Sequence, residues 1–448
     1  MIDSAETIDK ASLFNRLCEA RRLTDDLFEI VRTDALYERP IPERHRLIFY
    51  LGHLEAFDWN LFRQEHPSLH SPQPEYDQLF AFGIDPVDGG LPTDRAEDWP
   101  LVAEVQRYNA GARQRIDKLL ETHGLEDVAD GSTPESVLLN VAIEHRLMHA
   151  ETLAYLFHRM PYQQKLAQPQ LDVIGEACRP EMVSIPACCA TLGIIRQTGA
   201  FGWDNEFECH QVGVPAFRID RFMVTNGEFL QFLREGGYKD RKLWNDSDWQ
   251  WIQTNGIRQP AFWERQGSKW TWRGMFESVE LPLDSPVYVS HAEATAYARW
   301  VGKALPTEAQ WHRAAYGALD GTERDYPWGT NAEFQGRGNF DACRWDASPA
   351  NATSENVSAF DVVGMLGNGW EWTATEFAPF SGFTPFPFYP GYSANFFDGQ
   401  HFVLKGGSAR TAAPLLRRSF RNWFQPHYQY AYTGFRCVSN REDERRNS

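Results

Sequence analysis

Apolar residues recur at every third or fourth position through the first 160 residues, which is the spacing of one face of an α-helix. The pattern predicts four helices of about 20 residues, at 10–31, 43–62, 98–123 and 133–160. We expect Thr133 to be the N-cap residue of the last helix, with Pro134 in its first turn. Four such helices joined in sequence favour an all-α four-helix bundle over residues 1–162.

Two connections in this part of the chain have the composition of loops. The link at 65–99 is long and rich in Pro, Gly and Asp, and a connection of that length usually carries function or covers a site. After Pro161 the helical spacing weakens, and we interpret 163–180 as a linker between two domains.

The pattern of apolar and polar residues changes after this linker. Long segments of helical period give way to short alternating segments separated by Gly, Pro and Asn. Strands are predicted at 182–186, 212–219, 286–289 and 402–405, and helices at only 226–233 and 291–300. Short strands mixed with few helices favour an α+β domain at 181–440, followed by a charged tail at 441–448.

The balance of charges argues against some classes of partner. The 448-residue chain carries a formal net charge of −17 at pH 7, and such a surface repels the phosphates of nucleic acids. No apolar run approaches the ~20 residues that a membrane span needs, and the first residues lack the basic and apolar regions of a secretory signal. We therefore expect a cytoplasmic protein without nucleic-acid or membrane partners.

Three histidines have the spacing of a metal site. His145 and His149 lie four residues apart in the fourth predicted helix, so both imidazoles lie on one face and can chelate one ion. His53 lies in the apolar second helix, where an imidazole is costly unless it is hydrogen-bonded or bound to a metal. Three imidazoles with open positions suit non-haem iron(II), and they also suit hydrolytic zinc, which spacing alone does not separate from iron.

Two nearby residues could also take part in the metal site. His45, two helical turns before His53, is an alternative third ligand, although it lies among charged residues near the helix start. Glu151 either orients an imidazole through a hydrogen bond or is a surface charge. The apolar surroundings of His53 favour it over His45.

Six strongly patterned segments follow one another between Met182 and Val438. They are DRFMVTNGEF at 220–229, LPTEAQW at 305–311, YPWG at 326–329, GMLGNGWEWT at 364–373, KGGS at 405–408 and GFR at 434–436. In this order they resemble the sulfatase-modifying, formylglycine-generating-enzyme-like domain. The resemblance implies an α+β fold with little regular secondary structure, related to the C-type lectins.

The chemistry of that family is not expected here. Formylglycine-generating enzymes carry redox-active cysteines just after the Gly-Gly-Ser segment, whereas residues 408–420 of this chain contain no cysteine. The nucleophile or metal ligand of that reaction is therefore missing, and we expect the fold without the activity.

The helical part resembles the DinB-like family, whose spacing of three histidines and a glutamate matches His53, His145, His149 and Glu151. The two parts together resemble the ergothioneine-biosynthesis sulfoxide synthases of the EgtB type over nearly the whole chain. The resemblance implies an oxidoreductase of the hercynylcysteine sulfoxide synthase type, which forms a C–S bond between hercynine and cysteine or γ-glutamylcysteine and oxygenates the sulfur with O₂. It also implies that the three histidines bind iron(II).

The resemblance further implies the hercynine-binding residues. The matching segment contains Asn422, Trp423 and Phe424. The quaternary ammonium of hercynine cannot donate a conventional hydrogen bond, so the two aromatic rings would hold it by cation–π contact. Asn422 would bond the carboxylate. The alternative interpretation is that both rings fill the core.

The chain departs from the family pattern at two positions. Met148 stands where family members place a glutamine that contacts the substrate imidazole, and Phe377 stands where they place a catalytic tyrosine. Tyr76, in the long link, and Tyr392 are the candidate replacements for that tyrosine as proton donor. We therefore expect a rearranged substrate site.

The identity of the thiol depends on the arginines near the site. A γ-glutamyl carboxylate would call for bidentate pairing with arginine, for which Arg95, Arg417 and Arg418 are available. The long link carries little else that is basic, which favours free cysteine.

Other functions fit the same features. A selenoneine-type synthase would use a selenium donor, and a zinc-dependent thiol transferase or hydrolase would use the three histidines without O₂. A lectin-like binding module fused to a metal-binding bundle would not be an enzyme. Consumption of O₂ separates the sulfoxide synthase from the zinc enzyme and from the binding module.

Overall fold

Two compact units divide the chain, Met1–Pro169 and Gln170–Ser448. The structure is a computed structural model that describes residues 10–66, 68–82, 91–122, 133–168, 179–352 and 355–440. The domain limits that we predict at 162, 180 and 440 stay predictions. Residues 169–178 of the predicted linker and the predicted tail, 441–448, lie outside the described residues.

Long helices build the first unit, and the four predicted from the apolar spacing are confirmed. Its described residues contain α1 (Lys10–Glu29), α2 (Leu47–Glu65), α3 (Pro74–Phe82), α4 (Val102–Thr122) and α5 (Glu135–Arg159). Helix α2 is central, since it packs against α3, α4 and α5, while α1 packs against α5. On α5 every residue at 138–147 is buried, so the polar residues of this stretch lie inside the bundle.

Helix α3 corrects the expectation that 65–99 is a loop. Pro74 begins the helix, where its missing N–H is not needed, and acidic Glu75 and Asp77 lie in the positive first turn. Asp77 then accepts hydrogen bonds from Trp59 Nε1 at 3.0 Å and the Tyr108 hydroxyl at 2.9 Å. A helix of nine residues is marginal by itself, so these tertiary contacts stabilise it.

The expected N-cap of α5 is also wrong. Pro134 is the capping residue and no side chain caps the helix. Thr133 instead donates its backbone N–H and its hydroxyl to the carboxylate of Glu65, at 3.2 and 3.3 Å. A tertiary partner thus replaces the local one.

The second unit consists of small sheets and short helices. Its described strands are β1 (Met182–Ile185), β2 (Cys188–Leu192), β3 (His210–Val214), β4 (Phe217–Asp220), β5 (Trp263–Gln266), β6 (Lys269–Arg273), β7 (Ser278–Glu280), β8 (Trp370–Glu376), β9 (Phe402–Lys405), β10 (Asn422–Phe424), β11 (Thr433–Gly434) and β12 (Val438–Asn440). Its described α-helices are α6 (Asn226–Arg234), α7 (Asp246–Thr254), α8 (His291–Trp300), α9 (Glu308–Tyr316) and α10 (Gly391–Ala394).

Four sheets order these strands. They are β1-β4-β12, β10-β9-β8-β11, β2-β3 and β5-β6-β7. Strand β10 forms one edge of the four-stranded sheet and pairs antiparallel with β9, with Trp423 opposite Val403. Its three residues are half-buried, so this edge presents side chains that are partly open to solvent.

The predicted strands 182–186 and 402–405 and the helices 226–233 and 291–300 are confirmed as β1, β9, α6 and α8. The predicted strand 212–219 is two strands, β3 and β4, which pair with different partners on either side of Pro215. The stretch 286–289 is not a strand, because Val287 N–H bonds Val224 and Val289 N–H bonds Thr433, so no single ladder forms. Helices α7 and α9, of nine residues each, were not expected.

Among the described helices, none is long and apolar enough to cross a membrane.

Candidate metal centre and aromatic site

The three predicted metal ligands meet inside the bundle. Helix α2 supplies His53, and one face of α5 supplies His145 and His149. Each offers a ring nitrogen, and these three atoms lie within 4.8 Å of one another. The ring centroids are separated by 5.2 Å (His53 to His145), 4.9 Å (His53 to His149) and 4.4 Å (His145 to His149). One ion with metal–nitrogen distances of about 2.0–2.1 Å fits this spacing after small rotations of the rings.

Burial keeps these imidazoles neutral. It lowers the pKa of His53 to about 4, mainly because a charged ring would lose its hydration. Burial also lowers the pKa values of His145 and His149 well below the usual range, and the neighbouring histidines add to the shift. At neutral pH all three rings are therefore in the unprotonated form that binds metals.

Backbone and side-chain contacts orient His53. Its Nδ1–H donates to the Phe80 carbonyl of α3 at 2.7 Å, which leaves Nε2 with a lone pair for a ligand bond. Phe49 stacks on the His53 ring with centroids 4.8 Å apart. Gly52 allows the close approach of α3, since a Cβ there would lie 2.4 Å from Cδ1 of Phe80.

The chemistry of this group fits a divalent cation. Nδ1 of His145 and Nδ1 of His149 are buried and have no hydrogen-bond partner in the part of the chain described. Buried nitrogens in that state are costly, and a cation with its bound substrates would supply the missing interactions. Three imidazoles fit iron(II) and zinc(II) alike, so the donor set does not decide between them.

The structure places three further residues that the sequence suggested near the three histidines, which are His45, Glu151 and Met148. The metal-compatible group contains His53 and not His45, whose ring packs on Phe49 at 4.2 Å. Glu151 is buried, so its interpretation as a surface charge is wrong. Met148 is half-buried on α5, directly before His149, and its backbone carbonyl accepts a hydrogen bond from Thr152.

The sequence did not reveal the ion network on these helices. Fully buried Arg146, between the two α5 histidines, pairs with Glu55 and Asp58 of α2. The carboxylates were a visible signal, since they interrupt an otherwise apolar helix where unpaired charges are not stable.

In the second unit, four rings form an aromatic cluster, which consists of Phe377, Tyr392, Phe396 and Trp423. Phe377 stacks on Trp423 with centroids 4.0 Å apart and an angle of 8°. Tyr392 and Phe396 both approach Trp423 at 5.5 Å. Trp423 is half-buried, so part of its side chain is exposed to solvent.

Phe424 does not belong to this cluster. It stacks on Tyr428 at 4.7 Å, because successive side chains of a strand point to opposite faces. The Asn422 amide oxygen accepts the backbone N–H of Trp423 at 2.8 Å. The structure thus brings Phe377, Tyr392 and Trp423 together and leaves Phe424 on the other face of β10.

Arg421 packs against the aromatic cluster at the ring of Phe377. Its guanidinium is buried and bonds Glu308 at 3.0 Å. It also lies over the rings of Phe377 and Phe380, at 4.9 and 4.1 Å from their centroids. The stack of Arg421, Phe377 and Trp423 fixes the orientation of the indole.

The remaining predicted residues have partners of their own. Tyr76 lies on α3 and packs against Phe80 and Tyr108 at 5.7 and 5.6 Å. Arg95 is exposed and pairs with Asp98 at 3.3 Å. The arginines considered for the second unit are also paired, Arg417 with buried Glu206 and Arg418 with Glu323.

Comparison with known families defines the class of protein. Residues 16–153 match the DinB superfamily, and residues 170–441 match the sulfatase-modifying factor enzyme 1-like domain. The chain is therefore a two-domain protein, with a DinB-type helical bundle followed by an α+β domain of the sulfatase-modifying type. The fold class predicted from the sequence is confirmed.

Individual relatives narrow this class to one family. The hercynine oxygenase of Mycolicibacterium thermoresistibile is 40% identical over 448 residues, covering 96% of this chain and 95% of the relative. The hercynine oxygenase of Mycobacterium tuberculosis is 41% identical over 52% of this chain and 55% of the relative. Ergothioneine biosynthesis protein 1 of Neurospora crassa is 27% identical over 92% of this chain and 55% of the relative.

The chain belongs to the hercynine oxygenase family. It is an enzyme of the oxygenase and sulfoxide synthase type, with the two-domain EgtB-type architecture. The resemblance found in the sequence and the predicted enzyme class are confirmed.

Proposed function

We propose that this enzyme uses iron(II) and O₂ to join hercynine to the sulfur of cysteine and to oxidise that sulfur to a sulfoxide. The overall reaction balances: the substrates give up one C–H and one S–H hydrogen, one oxygen atom enters the sulfoxide, and the other leaves as water. The observation that carries the proposal is the group of three neutral histidines within the bundle in a member of the hercynine oxygenase family.

The residues of the bundle would hold the metal. His53, His145 and His149 are neutral, and the Phe80 carbonyl directs Nε2 of His53 toward the ligand position. Bound iron(II) would supply the redox chemistry that couples the reduction of O₂ to oxidation of the two substrates. Three protein ligands leave coordination positions open for those substrates.

Hercynine would bind through the aromatic cluster. The half-buried indole of Trp423, stacked on Phe377, presents a π-surface to a quaternary ammonium. Asn422 stays the residue that the family resemblance assigns to the carboxylate, although alternation along β10 places its side chain on the face of Phe424 and not of Trp423. Phe424 faces Tyr428, so we assign the ammonium contact to Trp423 first and to Phe424 second.

Tyr392 is the better-supported candidate for the proton donor. Phe377 occupies the position where the family places a tyrosine and has no hydroxyl to offer. Tyr392 contacts Trp423, whereas Tyr76 packs against Phe80 and Tyr108 in the other unit. Met148 stands where the family places the glutamine that contacts the substrate imidazole, so its thioether would line that ring.

Free cysteine is the proposed thiol. A γ-glutamyl carboxylate would need an available guanidinium, but Arg95, Arg417 and Arg418 each pair with a carboxylate of this chain.

An oxygen electrode tests the proposal. Metal-free protein is loaded with iron(II) or zinc(II) under argon, and O₂ uptake is followed with hercynine plus cysteine, γ-glutamylcysteine or a selenium donor. We expect uptake only with iron, fastest with cysteine, and none in His53→Ala protein that is folded by circular dichroism. Turnover with zinc, or no uptake with any donor, would contradict the proposal.

A further inference from the structure

A fully buried guanidinium lies on the helix that carries two of the histidines. Arg146 directly follows His145 on α5, and its relative exposure is 0%. A guanidinium is stable at such a position only when carboxylates or carbonyl groups pair with it. Its partners therefore indicate what this residue does.

The contacts of Arg146 to α2 all fall within one helical turn. Nη2 donates to the Leu54 backbone carbonyl at 3.0 Å and to Asp58 Oδ2 at 2.6 Å. Nη1 donates to Glu55 Oε1 at 2.9 Å. One planar group thus fastens α5 to the turn of α2 that begins directly after His53.

Further contacts hold the partners of Arg146 in place. Arg113 of α4 donates to Glu55 Oε1 at 2.8 and 2.6 Å, and it also pairs with Asp25 of α1 at 2.7 Å. Glu55 thus accepts hydrogen bonds from guanidinium groups of both α4 and α5. The network therefore extends through α1, α2, α4 and α5.

We infer that Arg146 is a positioning residue for the metal centre, which sets the register between α2 with His53 and α5 with His145 and His149. The inference rests on the proposed function, because it takes the three histidines to be a metal site. A slip of one residue moves a helix by about 1.5 Å, whereas metal–ligand distances tolerate only about 0.2 Å.

Directional bonds explain why a charged network occupies this place. Apolar side chains of similar volume give equal or greater stability than a buried ion pair, but they allow neighbouring registers to pack almost as well. Arg146 bonds a backbone carbonyl and two carboxylates of one turn at once, and a shifted register would break all three bonds.

Replacement of arginine by lysine tests this role. Arg146→Lys keeps the charge but loses the planar fork, so it cannot make the three bonds together. Arg113→Lys is the matched control, because Arg113 lies on α4 and bonds the same Glu55, and its hydrogen bonds to the described residues join α4 to α2 and α1 and not to α5. Cobalt(II) is the probe, since its visible absorption reports both affinity and ligand geometry in the full-length protein without any turnover.

We expect Arg146→Lys to weaken cobalt affinity by about 10- to 100-fold, the usual effect of losing an outer-shell partner, and to change the visible bands. Arg113→Lys should keep the parental affinity and bands. Equal affinities and identical bands in the two variants would overturn the inference.

A second variant covers the case in which Arg146→Lys does not fold. Glu55→Met, Asp58→Leu and Arg146→Met together replace the network by apolar groups, and Arg113 keeps Asp25 as its partner. We expect parental thermal stability with weakened cobalt binding. Parental stability with parental binding would mean that the network only stabilises the fold, and would overturn the inference.

The parental protein separates this inference from the proposed function. If it binds no cobalt, or if His53→Ala binds cobalt as well as the parent, the metal site itself is wrong. If the parent binds cobalt through the histidines and Arg146→Lys binds equally, only the positioning role is wrong.

Discussion

Gly52→Ala tests whether the contact between α2 and α3 orients the metal ligand His53. The added Cβ would lie 2.4 Å from Cδ1 of Phe80, whereas carbon atoms in contact are about 3.5–4.0 Å apart. The Phe80 ring must therefore retreat by about 1 Å. Trp99 and Tyr108 pack against this ring at 6.4 and 5.8 Å, so α3 would move with it.

The movement of α3 would reach the imidazole through the Phe80 carbonyl. This carbonyl accepts the His53 Nδ1–H at 2.7 Å, and a retreat of about 1 Å takes the pair beyond hydrogen-bonding range. Loss of such an outer-shell partner typically weakens metal binding by about 10- to 100-fold. Overpacking costs about 1–3 kcal/mol, and the better helix propensity of alanine offsets about 1 kcal/mol of it.

Gly111→Ala is the matched control for this substitution. Gly111 also lies within a helix, α4, but a Cβ there meets only the mobile end of Arg115, at 3.0 Å. We expect this variant to gain up to about 1 kcal/mol of stability and to bind cobalt(II) like the parent. Equal metal affinity in the two alanine variants, measured by titration, would refute the reasoning about Phe80.

Three further predictions concern the substrates and pH. Trp423→Leu should raise KM for hercynine by about 3- to 30-fold, because a cation–π contact is lost. Trp423→Phe should keep most of the affinity. Equal KM values for the two variants and the parent in steady-state kinetics would mean that the indole does not contact the ammonium group. Tyr392→Phe should lower kcat by about 100-fold or more with little change in KM, and Tyr76→Phe should not; the reverse pattern would make Tyr76 the donor. The pKa of His53 is about 4 in the folded protein and about 6.5 in an unfolded chain, so the unfolded state binds more protons between these values and stability falls as the pH drops through this window. Chemical denaturation of metal-free protein should show stability that is level above pH 7 and lower at pH 5 by more than in His53→Ala; equal losses would contradict the shifted pKa.

Sequence periodicity predicted those parts of the fold that are governed by local spacing. The long helices α1, α2, α4 and α5 follow from apolar residues at helical spacing, and His145 and His149 share a face because they are four residues apart. Several short elements were not predicted from the sequence. Helix α3 has nine residues and depends on Trp59 and Tyr108, which are distant in sequence. No local pattern encodes such contacts.

The candidate site shows the same division. The family resemblance placed Trp423 and Phe424 at one ammonium, but alternation along β10 separates their rings. Phe396 joined the cluster through the tertiary fold alone. Arg146 was overlooked because charged residues on a helix are usually exposed, and its burial depends on carboxylates some 90 positions away in the chain, as in its bond to Glu55 (a separation of 91).

The origin of the oxygen atom in the product tests the central claim most directly. Iron-loaded protein is mixed anaerobically with hercynine and cysteine and then exposed to ¹⁸O₂. The masses of the products are measured by mass spectrometry. We predict one product that contains both substrates, less two hydrogens, plus one labelled oxygen. Doubly oxygenated cysteine with unchanged hercynine, or a joined product without label, would contradict the assignment as a sulfoxide synthase.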